Sequence, residues 1–353
     1  MSKFISPNNK NITWTGAISF DRTADSVHPC RISTEDRSLY YPDLVHWADM
    51  SAGMTLNFQT TSSNIEILAD CSADPTLSGD NISPVPGWGS GNYWGGAEAY
   101  ADLYIDGMYT DSKATADTTS FSFNELESEM KSVQIWLPHL LKFTLKGINI
   151  DENAEIKVLE NSQPRWIAYG SSITQCIGAV RPSDGWTAII SRTLNLELVS
   201  MGYGGEAHLD PLLACTIRDE KADVITIDIG SVPQVRNTLS ERTFASGLIA
   251  FIKIIREKHP TTPILVFSPI YFEDREDTVN NLGMTMKMMR TEIEKATEAI
   301  NDAGDKNTHY KNGLEIFKPE HVLLMPDFRH PTTEGYAIIA EGLKSEIKNI
   351  LIR

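Results

Sequence analysis

The sequence predicts a two-part chain: an all-β, jelly-roll-like sandwich over residues 1–160, then an α/β domain built on a parallel sheet over residues 161–353. Three observations predict it. The chain has 353 residues, more than one domain of about 100–200 residues needs. Up to Leu159, short runs alternate polar and apolar residues between turn formers, which is the period of half-buried antiparallel strands. Beyond Pro164, strand-length runs are apolar throughout and alternate with longer stretches of helical period. That pattern belongs to a sheet buried on both faces by helices.

In chain order, Met54–Phe58, Asn64–Leu68, Ala101–Ile105, Ser132–Trp136 and Glu155–Leu159 read as strands of the first part. Gly-, Pro- and Ser-rich stretches over 75–80 and 87–92 read as long loops. Asn161–Pro164 is the expected linker. In the second part, Trp166–Tyr169, Leu196–Met201, Val224–Ile229, Ile264–Phe267 and Val322–Met325 read as five strands. Amphipathic stretches near Asp184–Leu194, Asp210–Asp219, Glu241–Lys258, Met284–Asp302 and Thr333–Ile350 read as the helices. Asp210 is expected to cap the helix that Pro211 opens.

Charge and composition narrow the function. Lys and Arg number 31 against 47 Asp and Glu, a net charge of −16, which repels phosphate backbones and anionic lipid. Without a basic patch, neither nucleic acid nor a membrane surface is an expected partner. No run of eighteen apolar residues occurs, and the first dozen residues, with the polar stretch SPNNKN, show no apolar signal core. Four cysteines at 30, 71, 176 and 215 show no CxxC spacing. They read as reduced thiols of a cytoplasmic protein, and no metal or cofactor is expected.

In a parallel sheet, ligands sit at the carboxyl ends of the strands. Reading those ends in turn finds Gly170-Ser171-Ser172-Ile173-Thr174, Gly202-Tyr203-Gly204-Gly205-Glu206, Gly230-Ser231-Val232-Pro233 and Pro326-Asp327-Phe328-Arg329-His330. A serine between strand and helix has free backbone N–H groups beside it, which favour developing negative charge. An Asp three residues before a His places both side chains on one side of a turn. The His can then take a proton from Ser172, while Asp327 holds its tautomer and stabilises its cation.

These residues carry a resemblance. Tyr169-Gly-Ser-Ser-Ile-Thr-Gln175 resembles the nucleophile block of the SGNH (GDSL-type) hydrolases, with Ser172 as the nucleophile and Ser171 where the block usually has Asp. Asp327 and His330 match the family's DxxH block, and Gly205 its oxyanion glycine. Tyr100-Ala-Asp-Leu-Tyr104 is similar to the GxDLY signature of the branch that carries an N-terminal β-sandwich, except at its first glycine. The resemblance implies a flavodoxin-like three-layer αβα domain with strand order 2-1-3-4-5, and catalytic Ser172, His330 and Asp327. It also implies an oxyanion hole built from the N–H groups of Ser172 and Gly205. One departure stands out: the family's third block is GxN, and Val232 occupies the place of its Asn. Ser231, Gln234 and Asn237 are the candidates to replace that donor.

The expected activity is that of a serine esterase removing a short acyl group from a small-molecule or carbohydrate ester. An acyltransferase using the same acyl-enzyme in natural-product tailoring is the alternative. A non-catalytic carbohydrate-binding protein is a third reading, favoured by Val232 and opposed by the intact Ser172, Asp327 and His330. Trp88, Tyr93 and Trp94 are candidates for stacking on substrate or for packing their own loop, and Arg329 for binding an anionic group or facing solvent. Cys176 reads as a buried thiol rather than a nucleophile. The Met-rich run 283–289 reads as core filler, with a pliable acyl-binding wall as the alternative; His208 and Asp210 are not expected to hold a metal, and the oligomeric state is left open.

Overall fold

The computed structural model describes residues 2–72 and 99–352. Trp88, Tyr93 and Trp94 lie outside the described residues. The chain divides into two compact units, and the division is not a single cut. Residues 1–39, 45–163 and 180–184 form one unit; residues 40–44, 164–179 and 185–353 form the other.

Within the first unit, the described residues form two six-stranded antiparallel sheets. One contains Ser2–Ile5, Ser19–Arg22, Val27–Cys30, Ile65–Ser72, Ser120–Phe123 and Lys142–Asp151. The other contains Thr13–Thr15, Thr55–Thr60, Tyr100–Ile105, Met108–Ala114, Lys131–Trp136 and Ile156–Lys157. The period-2 pattern puts alternate side chains inward: in Ile65–Ser72, Ile65, Ile67, Ala69 and Cys71 are buried, while the residues between them are not. Leu56 and Phe58 of one sheet and Ile65 and Ile67 of the other belong to one apolar core, as a sandwich requires. The expected strand 155–159 shrinks to Ile156–Lys157, the two residues that enter the ladder, opposite Thr60 and Gln59.

The second unit is a five-stranded parallel sheet in the order Glu197–Gly202, Arg165–Gly170, Val224–Asp228, Ile264–Phe267, Thr308–Lys311. Numbered along the chain, that is 2-1-3-4-5. The first four strands are buried almost end to end, the signature of helices on both faces. Helices run over Trp186–Leu194, Pro211–Asp219, Glu241–Arg256, Met286–Asp302 and Thr333–Leu351. Met284, Met286 and Met289 are fully buried core residues.

The fifth strand is not the expected one. Val322–Met325 forms no strand; Pro319–Leu324 is a 3-10 helix opened by Pro319, and its Leu323 is 90% exposed. Proline suits a first helical turn, where its missing N–H is not needed. The fifth strand is Thr308–Lys311, polar because it is the sheet's edge and is buried only at Thr308. Asp210 takes the N-cap position before Pro211, but its side chain makes no capping hydrogen bond.

Candidate active site

The loop that carries Ser172 is held by the sheet beneath it. Gly170 ends the first parallel strand, and a Cβ there would lie 2.2 Å from Oγ1 of Thr174 and 2.6 Å from Cβ of Asp228, so only glycine fits. Ser171 caps the one-turn helix Ser172–Gln175, its Oγ accepting from the N–H of Ile173. Its hydroxyl donates to Oδ2 of Asp228 at 2.7 Å, and Oδ2 also accepts from the Ser171 N–H and the Thr174 hydroxyl, at 3.2 and 3.0 Å. Asp228 is buried at the end of the third strand, and burial raises its pKa against the pull of these donors. Sequence reading missed this residue. Its signal is a carboxylate closing an otherwise apolar run, Val224-Ile-Thr-Ile-Asp228.

Asp327 and His330 come from a turn anchored on its own backbone. Oδ1 of Asp327 accepts from the N–H groups of Arg329 and His330 at 2.9 and 2.7 Å, and Phe328 between them takes a left-handed φ of 59°. This leaves Oδ2 of Asp327 2.5 Å from Nδ1 of His330, while Nε2 of His330 lies 3.0 Å from Oγ of Ser172. Burial raises the pKa of Asp327, but the His330 hydrogen bond and charge outweigh it and hold the carboxyl below its ordinary value. An ionised Asp327 fixes the proton on Nδ1 and leaves the lone pair of Nε2 facing Ser172.

The glycine loop after the second strand is tied to the same helix, since the Gly204 N–H donates to Oε1 of Gln175 at 2.9 Å. Gly205 has a left-handed φ of 72°. Among the described residues, no backbone carbonyl takes up the N–H of either Ser172 or Gly205. Both remain available to an oxyanion.

The other candidates separate. Nε2 of Gln234 donates to the carbonyls of Thr278 and Met284. The amide of Asn237 spans the carbonyl of Val235 and the N–H of Asn281. Both amides are engaged in holding loops. Ser231 and Val232 are buried in the short helix Ser231–Arg236, and the Ser231 hydroxyl makes no hydrogen bond among the described residues. Arg329 grips Asp274 through both Nη atoms, at 2.6 and 2.7 Å, so its fork is already filled. Burial pushes the Cys176 thiol up to about 11, leaving it protonated and inert near neutral pH.

Comparisons with known proteins bear on family and fold. The profile described as the GDSL-like Lipase/Acylhydrolase family matches residues 163–348, and one described as the SsfX3 N-terminal domain matches 12–146. The chain is similar in structure to SsfX3, a salicylyl-acyltransferase from a tetracycline biosynthetic pathway. The two share 29% identity over 99% of this chain and 97% of that one, with a TM-score of 0.86. A Bacteroides ovatus protein described as a GDSL-like lipase matches at 21% identity over 100% and 98% of the two chains, TM-score 0.77. A Clostridium thermocellum family two carbohydrate esterase, solved with cellohexaose, matches at 13% over 96% and 99%, TM-score 0.65. The last two likenesses speak to fold alone. A search of curated proteins returns no match.

Proposed function

Because the chain belongs to the GDSL-like lipase/acylhydrolase family, we propose that it is a serine esterase acting on a small-molecule or carbohydrate ester through an acyl-enzyme on Ser172. The observation that carries this reading is the unbroken relay from Asp327 through His330 to Ser172, at 2.5 and 3.0 Å. Nε2 of His330 takes the hydroxyl proton as Oγ bonds to the ester carbonyl carbon. The N–H groups of Ser172 and Gly205 hold the resulting oxyanion. His330 then returns the proton to the leaving alkoxide as the C–O bond breaks, and Asp327 stabilises the transient imidazolium. Water or an acceptor hydroxyl, deprotonated by the same His330, releases the acyl group.

A second reading differs only in the acceptor. Likeness along the whole chain to a salicylyl-acyltransferase favours transfer to an acceptor hydroxyl over hydrolysis. Partition decides between them: a transferase yields more acylated acceptor than free acid when both water and alcohol are present. The relay is a reason against a non-catalytic role. We further place the protein in the cytoplasm, on the ground that its four cysteines are unpaired and three of them buried. No described helix is long and apolar enough to cross a membrane. Neither nucleic acid nor lipid is a partner in this reading. The test is turnover of 4-nitrophenyl acetate, which we expect from the parent and not from Ser172→Ala; equal rates would remove the nucleophile.

A further inference from the structure

The short helix that carries Val232 ends in Arg236, and the guanidinium of that arginine lies against Gly205. A Cβ built on Gly205 would stand 2.7 Å from Nη2 and 3.3 Å from Nε of Arg236. The positive group therefore occupies the space beside the glycine whose N–H is assigned to the oxyanion. Among the described residues, Arg236 makes no hydrogen bond and no ion pair, and it is exposed. That is unusual company for an arginine in a chain with 47 acidic residues. Arg329, by contrast, has its fork filled by Asp274.

The acidic neighbour that senses Arg236 is Glu206. It is buried and forms no ion pair with Arg236; burial pushes its pKa up to about 7 against the pull of the arginine. His208, the other titratable neighbour, has its pKa lowered by burial and by Arg236, so it stays neutral. Its Nδ1 is 2.8 Å from the Thr238 hydroxyl. The Glu206 carboxylate lies 3.8 Å from Nε2 of His208 instead, and neither neighbour fills the guanidinium fork.

We propose that Arg236 is a specificity-determining residue that binds a carboxylate carried by the substrate close to its reacting carbonyl. This rests on the esterase or transferase reading above and names its substrate class: esters whose acyl or alcohol part bears a carboxylate within a few bonds of the ester. A phosphate at the far end of a carrier arm does not satisfy the geometry, because Arg236 touches the oxyanion glycine itself. A second consequence concerns the missing Asn. A charged group beside Gly205 supplies positive potential where the side-chain amide is absent, so an anionic substrate is drawn to the site without that amide.

The experiment uses two matched pairs: 3-acetoxybenzoate with its methyl ester, and 4-nitrophenyl hemiadipate with its methyl ester. The first places the carboxylate on the alcohol side, the second on the acyl side. For the parent, we expect a higher kcat/KM for the anionic member of at least one pair. In Arg236→Gln, that preference falls about tenfold or more, through KM rather than kcat, and Arg236→Lys restores part of it. Equal loss on both members, or no change in the ratio, overturns the proposal. Binding of the first pair to Ser172→Ala, with and without Arg236→Gln, is measured by calorimetry and needs no turnover. Discrimination there without turnover by the parent would sink the hydrolase reading and leave this one standing. Turnover without discrimination, in either assay, would do the reverse.

Discussion

Val232 stands where the GxN block of the resembled family carries its Asn, and it is buried and apolar. Two of the three side chains named as replacements for that Asn, Gln234 and Asn237, are engaged elsewhere. Neither of these two amides is then offered alongside the backbone donors of Ser172 and Gly205. Removing one such donor costs about 10²–10³ in turnover where it has been measured. Val232→Asn is therefore expected to raise kcat on neutral esters by about tenfold or more, read as initial rates in a variant with an unchanged circular dichroism spectrum. An unchanged kcat would mean that another group, Ser231 first, already fills the place. At this scale much of the site was legible: Ser172 sits in one short pattern at a strand end and the Asp327–His330 pair in another, although 158 residues separate Ser172 from His330 and the fold brings them together. Asp228 was not, because its partners are 54 and 57 residues away and only the sheet brings them together.

At the scale of elements, Asp228 shows what a strand end contributes. Its one oxygen gathers three donors of the loop that carries Ser172, so the third strand holds that loop in place. Asp228→Ala leaves those buried donors without an acceptor, at about 1–3 kcal/mol of stability. Misplacement of a reacting group by an ångström costs on the order of 10²-fold in rate. We expect Asp228→Ala to lower kcat by about 10–100-fold with KM little changed. Asp228→Asn, which keeps an acceptor oxygen, should recover part of the loss. Equal activity in all three proteins would remove the positioning role. Apolar runs predicted the first four parallel strands. The fifth escaped because an edge strand, Thr-His-Tyr-Lys, carries no apolar signature, while the apolar Val322–Met325 sits in a 3-10 turn. The GxDLY-like aspartate also shows its role at this scale. Buried Asp102 accepts from Ser112 at 2.6 Å and from the hydroxyl of Ser183 at 2.5 Å, fastening residues 180–184 to their sandwich strand.

Across the whole molecule, stability carries its own pH signature. Within the sandwich unit, burial works against a charged His28, but Asp49, Cys30 and the Phe143 carbonyl outweigh it and raise its pKa from 6.5 to about 9. Because the folded pKa lies above the unfolded one, the contribution is fully present below pH ~6.5 and is lost as pH rises through about 9. Up to about 3 kcal/mol is at stake for a shift of that size. Thermal unfolding of the full chain should therefore show a midpoint that falls between pH 7 and 9.5, and less steeply in His28→Gln. Parallel curves for the two proteins would contradict the ion pair. The interleaving of the two units, with residues 40–44 counted in the α/β unit and 180–184 in the sandwich, was not legible in composition or periodicity. Long-range contacts accompany it, such as the Tyr40 hydroxyl on that of Thr216 at 2.8 Å within the α/β unit.

The most direct test of the central claim is mass analysis of the protein quenched in acid soon after mixing with 4-nitrophenyl acetate. The account predicts one acetyl group per chain, mapped to the peptide containing Ser172, disappearing as the ester is exhausted and never forming on Ser172→Ala. An acetyl group on any other residue with turnover intact, or steady hydrolysis by Ser172→Ala, would contradict it.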